Sequence, residues 1–80
     1  MTVKEAVVLR FQEIMQERGI RPNELANRSG VTPSTVNSML DGRRKELTIN
    51  LIKKLCDGLD MPLCEFFTSR IFDELEQEIR

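Results

Sequence analysis

Three short polar residues, Ser34, Asn37 and Ser38, stand among the apolar residues Val36, Met39 and Leu40. Ser34 lies three residues before Asn37 and four before Ser38, so on a helix the three share one face. A face destined only for water normally carries long charged side chains. Short hydroxyl and amide groups instead permit close approach and can both donate and accept hydrogen bonds. Such a face suits the base edges exposed in the major groove of duplex DNA. Asn37 offers a donor and an acceptor together, the pattern that matches adenine, and is expected to be the strongest single reader. Arg43, Arg44 and Lys45 follow directly and are expected in a loop that can reach phosphates.

Other chemistry is poorly supplied. The 80 residues include no histidine, which removes the usual general base and the commonest metal ligand. The two cysteines, Cys56 and Cys64, lie in apolar patterns and make neither a disulfide scaffold nor a zinc site. They are expected to be reduced, buried thiols of a cytoplasmic protein. No nucleophile–base pair or paired carboxylate geometry is visible, so the chain is not expected to be an enzyme and no cofactor is implied. No apolar run approaches the length of a membrane span or signal peptide.

Net charge is −1, far from the basic balance typical of nucleic-acid binders. Its distribution is uneven. Residues 21–54 carry seven basic and three acidic side chains, a net +4, whereas residues 71–80 carry a net −3. The middle of the chain is therefore the part suited to a polyanion.

The elements that would position these groups are all helical, since the Gly and Pro residues separate segments of helical periodicity. A first helix is expected over Val3–Arg18, with Thr2 and Glu5 as a capping box, Val7, Phe11 and Ile14 as its buried stripe, and Gly19 as its stop. Leu9 lies off that stripe. The second spans Pro22–Ser29, with Leu25 and Ala26 inward and Gly30 after it. The third spans Pro33–Leu40, capped by Thr32 and ended by Asp41-Gly42. The fourth spans Ile49–Gly58, capped by Thr48, with Ile52, Leu55 and Leu59 inward. A short fifth starts near Pro62, with Leu63, Phe66 and Phe67 as anchors. Residues 71–79 are a candidate sixth, placing Ile71, Phe72, Leu75 and Ile79 on one side.

The segment 22–41 has the spacing of a helix-turn-helix. Two helices crossing through a short turn approach closely, so a small residue is needed at the crossing, and Ala26 stands there. The turn calls for a left-handed residue, and Gly30 adopts that conformation without strain. Leu25, Val31, Val36 and Met39 cover the inner faces, which leaves Ser34, Asn37, Ser38 and Asp41 outward.

Gly19-Ile20, Leu25-Ala26, the run Gly30-Val31-Thr32-Pro33-Ser34-Thr35-Val36, Gly42-Arg43-Arg44, and Leu51-Ile52-Lys53-Lys54-Leu55 with Leu59 resemble the lambda-repressor-like (Cro and Xre type) DNA-binding family. The resemblance covers about residues 11–67. It implies an all-α, five-helix domain over residues 1–68, followed by an acidic amphipathic tail over residues 69–80. It also implies a transcriptional repressor that binds a palindromic operator in double-stranded DNA as a homodimer, with the third helix in the major groove. Carried over residue by residue, Pro33, Ser34, Asn37 and Ser38 face bases. Asn23, Thr32, Thr35, Arg43, Arg44 and Lys45 face phosphates. The chain departs from the family in having Pro22 and Pro33 where glutamines are frequent, and Glu46-Leu47 where a proline is usual. Asp41 adds a negative charge near the expected phosphate path.

A homodimer is also expected because one recognition helix of this length reads too few base pairs to define a unique site. Residues 62–67 and the tail residues Ile71, Phe72, Leu75 and Ile79 are the candidate interface, with the alternative that the tail packs on its own domain. A protein-interaction module, such as an antitoxin or the partner of an anti-repressor with weak DNA binding, is the competing class, and the acidic overall charge favours it.

Overall fold

The computed structural model describes residues 1–44 and 46–79. Five α-helices follow one another: α1 (Val3–Arg18), α2 (Pro22–Ser29), α3 (Pro33–Leu40), α4 (Ile49–Gly58) and α5 (Leu63–Phe67), with a 3₁₀ turn at Arg70–Glu74. The described residues contain no strand, and none of their helices is long and apolar enough to cross a membrane.

Local chemistry sets the boundaries. Thr2 caps α1 by accepting from the Glu5 N–H at 3.1 Å, while the Glu5 carboxylate accepts from the Thr2 N–H at 2.8 Å. Thr32 and Thr48 each accept an N–H of the first turn of α3 and α4. Gly19 and Gly30 close α1 and α2 in the left-handed region, at φ 65° and 69°. At Gly30 this lets the Val31 N–H return to the Ala26 carbonyl at 3.1 Å, which fixes the angle at which α3 leaves.

The core joins Val7, Phe11, Ile14 and Met15 of α1 to Leu25 and Ala26 of α2, Val36 and Met39 of α3, and Leu51, Ile52, Leu55 and Cys56 of α4. Ile20, Leu59, Met61 and Phe66 complete it. α2 is the hub, packing on both α3 and α4. At its contact with α4 a Cβ on Gly58 would lie 2.1 Å from Ser29 Oγ and 3.0 Å from Ser29 Cα. The two helices therefore meet backbone to backbone at this point.

Arg10 ties α5 to α1. Its Nε donates to the Phe66 carbonyl at 2.7 Å, and its Nη2 to the Glu65 carbonyl at 3.0 Å. Its Nη1 pairs with Glu13 at 2.6 Å. The Glu65 carbonyl also accepts the Thr68 N–H at 3.2 Å, whereas Arg10 supplies the Phe66 carbonyl, at the end of this one-turn helix, with the donor that the helix lacks. The Phe66 ring then lies 4.4 Å from that of Phe11, measured between centroids.

Two expectations require correction. Cys64 is exposed rather than buried; both thiols are free. The C-terminal segment is not a helix over residues 71–79. Only Arg70–Glu74 coils, as a 3₁₀ turn that packs on α1. Phe72 is drawn in against Phe66 and Phe67, at centroid distances of 6.1 and 5.1 Å, and one turn is enough to place it. Leu75 after it is extended, and the Glu76 N–H bonds the Met1 carbonyl at 3.0 Å. A continued helix would have set Asp73 against Glu76, and Glu74 against Glu78, at repelling spacings.

Candidate nucleic-acid interface

Val36 and Met39 pin α3 to the core, at 0% and 1% exposure. Pro33, Ser34 and Asn37 are consequently exposed on the opposite side, and Ser38 is half-buried beside them. These four residues lie on the side of α3 turned away from the core.

Its hydroxyls differ in availability. Thr32 Oγ1 lies 3.1 Å from Ser34 Oγ and 2.9 Å from Thr35 Oγ1, a small network around the first turn of α3. Ser38 Oγ donates to the Thr35 carbonyl at 3.1 Å, so its hydrogen is engaged while its lone pairs stay open. The Asn37 amide makes no side-chain hydrogen bond among the described residues. No described residue engages its donor or its acceptor, and the residue is exposed.

The loop after α3 folds back rather than trailing away. Gly42 takes φ 82°, and the Arg44 N–H bonds the Ser38 carbonyl at 3.2 Å. Lys4 Nζ donates to the Arg44 carbonyl, which ties the loop to α1. Arg43 and Arg44 come to line an open groove with Ser34, Thr35 and Ser38. The Arg44 side chain is half-buried, and its Nε has no hydrogen-bond partner among the described residues. Lys45 lies outside the described residues.

Asn23 is exposed in the first turn of α2, whose N-cap residue Arg21 supplies no side-chain bond to the helix. The first N–H groups of α2 are therefore open to an external acceptor.

Sequence reasoning missed the Asp41–Arg43 pair. Asp41 Oδ1 accepts the Arg43 N–H at 3.1 Å, and its Oδ2 accepts from Arg43 Nε at 2.8 Å. The signal was present, since Asp favours turns in which it bonds the backbone two residues on. The groups with displaced pKa values lie elsewhere. Burial pushes the Cys56 thiol up to about 11, while the Thr2 backbone N–H holds the Glu5 carboxyl below its usual value. Among the described residues no three His, Cys, Asp or Glu side chains gather as a metal site.

A trihelical unit with an outward polar third helix, a basic return loop and two packing helices behind it defines a helix-turn-helix protein. The chain matches the Cro/C1-type HTH DNA-binding domain over residues 10–69 and belongs to that family. A solved structure, described as the crystal structure of the prophage Lp1 protein 11, is similar along nearly the whole chain. Its TM-score is 0.78 at 32% sequence identity, covering 94% of this chain and 99% of that one. A comparison with curated proteins finds no match.

Proposed function

We propose that this chain is a transcriptional repressor that binds a palindromic operator as a homodimer, with α3 in the major groove. The observation that carries the reading is the exposed face of Ser34, Asn37 and Ser38 beside a folded-back basic loop. Membership of a DNA-binding family supports the choice of ligand. Pro33, Ser34, Asn37 and Ser38 read bases. Asn37 is the principal reader, because its amide is unengaged and can bond adenine at two atoms. Ser38 acts as an acceptor, since its proton is already given to Thr35. Asn23 at the open end of α2, Thr32, Thr35, Arg44 and Lys45 bind phosphates and fix the register.

Two copies are required by information content, as one α3 reads only a few base pairs. Half-sites about one helical turn apart follow from the two-fold symmetry.

The test is selection of sites from a random duplex pool, followed by affinities of Asn37→Ala for the selected site and each single-base variant. Loss of about 1–3 kcal/mol of discrimination at one base pair is expected. A uniform drop across all variants would remove Asn37 from the base readers. Absence of any selected site would reject the operator-binding reading.

A further inference from the structure

Arg43 stands beside the base-reading face and is held by a carboxylate. Asp41 caps the end of α3, and both its oxygens are engaged. One accepts the Arg43 backbone N–H at 3.1 Å, and the other accepts from Arg43 Nε at 2.8 Å. A carboxylate anchored by backbone cannot swing freely, so the guanidinium it grips is restrained as well. The side chain nevertheless remains 70% exposed, and it lines the groove shared with Ser34 and Ser38. Its two Nη groups make no hydrogen bond among the described residues.

This geometry fits poorly with phosphate binding. The Asp41–Arg43 pair has no net charge, and its carboxylate would repel a phosphate brought to the same guanidinium. It fits a neutral, directional acceptor pair well. With Nε occupied, the free edge of the guanidinium is the fork of Nη1 and Nη2, which matches O6 and N7 of guanine in the major groove. Restraint before binding reduces the side-chain entropy that a long arginine loses on docking.

We infer that Arg43 is a base reader specific for guanine, and that Asp41 is the positioning residue that presents its fork. This departs from the expected phosphate role of Arg43, and it rests on the operator-binding reading above. It adds a second specificity element, outside α3, to each half-site.

The experiment compares wild type, Arg43→Ala, Arg43→Lys, Asp41→Ala and the double alanine variant. Each is taken through selection from a random duplex pool and then titrated against the selected site and its single-base variants. Circular dichroism checks that each variant folds. Wild type is expected to select a guanine at one position per half-site. Arg43→Ala should lose on the order of 5- to 150-fold discrimination at that position alone. Arg43→Lys should not restore it, because an ammonium has no planar fork. Asp41→Ala should lose discrimination at the same position, and should add nothing further once Arg43 is gone. A positioning role is thereby separated from a general electrostatic one. If Arg43→Ala weakens every sequence equally, Arg43 binds phosphate and the proposal is overturned. If Asp41→Ala raises affinity uniformly with base preference intact, the carboxylate is only repulsive and its positioning role is overturned. A wild type that selects no site overturns both this inference and the operator-binding reading. A selected site whose preferences survive all the variants overturns this inference alone.

Discussion

Replacing Gly58 with alanine tests how closely α2 and α4 must approach. Gly58 is the last residue of α4, and its new Cβ would lie 2.1 Å from Ser29 Oγ. The hydroxyl can rotate away, but Ser29 Cα and Cβ, both at 3.0 Å, cannot. Overpacking of this kind costs roughly 1–3 kcal/mol. Against it stands the helix preference of alanine over glycine, about 1 kcal/mol at most at a helix end. The expected net loss is about 1–2 kcal/mol, or a fall in Tm of roughly 4–15 °C for a domain of this size. Ser29→Ala sharpens the test. Its Oγ is buried without a hydrogen-bond partner among the described residues, so Ser29→Ala alone should be neutral or stabilising. Combined with Gly58→Ala it should recover part of the loss, giving a coupling of about 0.5–3 kcal/mol in a double-mutant cycle read by thermal denaturation. A Tm that rises in Gly58→Ala, as helix propensity alone would dictate, refutes the close approach.

Arg10→Ala should cost about 2–3 kcal/mol by stripping charge-assisted bonds from the Glu65 and Phe66 carbonyls. Arg10→Lys should fall between alanine and wild type in urea denaturation, and equality of Lys with wild type would deny the two-carbonyl grip. With its thiol pushed up to about 11 from 9.0, Cys56 holds on the order of a hundredfold less thiolate at neutral pH than a free thiol. Timed alkylation should therefore modify exposed Cys64 first and Cys56 only on unfolding. The Glu5 carboxyl is depressed below 4.5 by the Thr2 N–H, so its ionised form stabilises the fold above that pH and the contribution is lost as pH falls through the lower, folded value. Glu5→Gln should melt below wild type at neutral pH and converge with it in acid, and a gap that persists in acid would contradict this.

The helices were legible because their ends are local. Thr2, Thr32 and Thr48 cap, Gly19 and Gly30 stop, and each acts within four residues of itself. The outward face of α3 was legible for the same reason, since Val36 and Met39 fix which side is buried. What stayed hidden depends on distant partners. Arg10 reads as a polar residue of an amphipathic helix, but its acceptors lie 55 and 56 residues away. Gly58 sits where a glycine stop would be read, yet the positive φ falls on Asp60, at 53°. Gly58 is there for the closeness of α2, which only the assembled bundle defines. The tail misled because Phe72 marks a helical stripe with Ile71, Leu75 and Ile79, although only Phe72 finds an aromatic cluster and Ile79 remains 79% exposed.

The charge count of the central segment changes once partners are assigned, and this sets the salt dependence of binding. Three of the seven cations between residues 21 and 54 face carboxylates. Arg28 lies 3.7 Å from Glu24, Arg43 lies 2.8 Å from Asp41, and Lys53 pairs with Asp57. A cation that stays on its carboxylate neutralises no phosphate, releases no counterion from DNA and adds nothing to the slope. Arg21, Arg44 and Lys54 face no carboxylate among the described residues, and Lys45, which lies outside them, brings the largest number available to phosphates to four. With about 0.9 ion per neutralised phosphate, log K against log salt should be no steeper than about −4 per bound chain on a random duplex. Full use of all seven would give about −6. The measurement is fluorescence anisotropy of a labelled duplex across a salt series, with stoichiometry fixed by titration at low salt. A slope near −6 would mean that the pairs open on DNA, and Arg43 would then belong with the phosphate contacts. A shallow slope with retained site preference would mean that this nearly neutral chain binds more by directional contacts from α3 and its return loop than by charge.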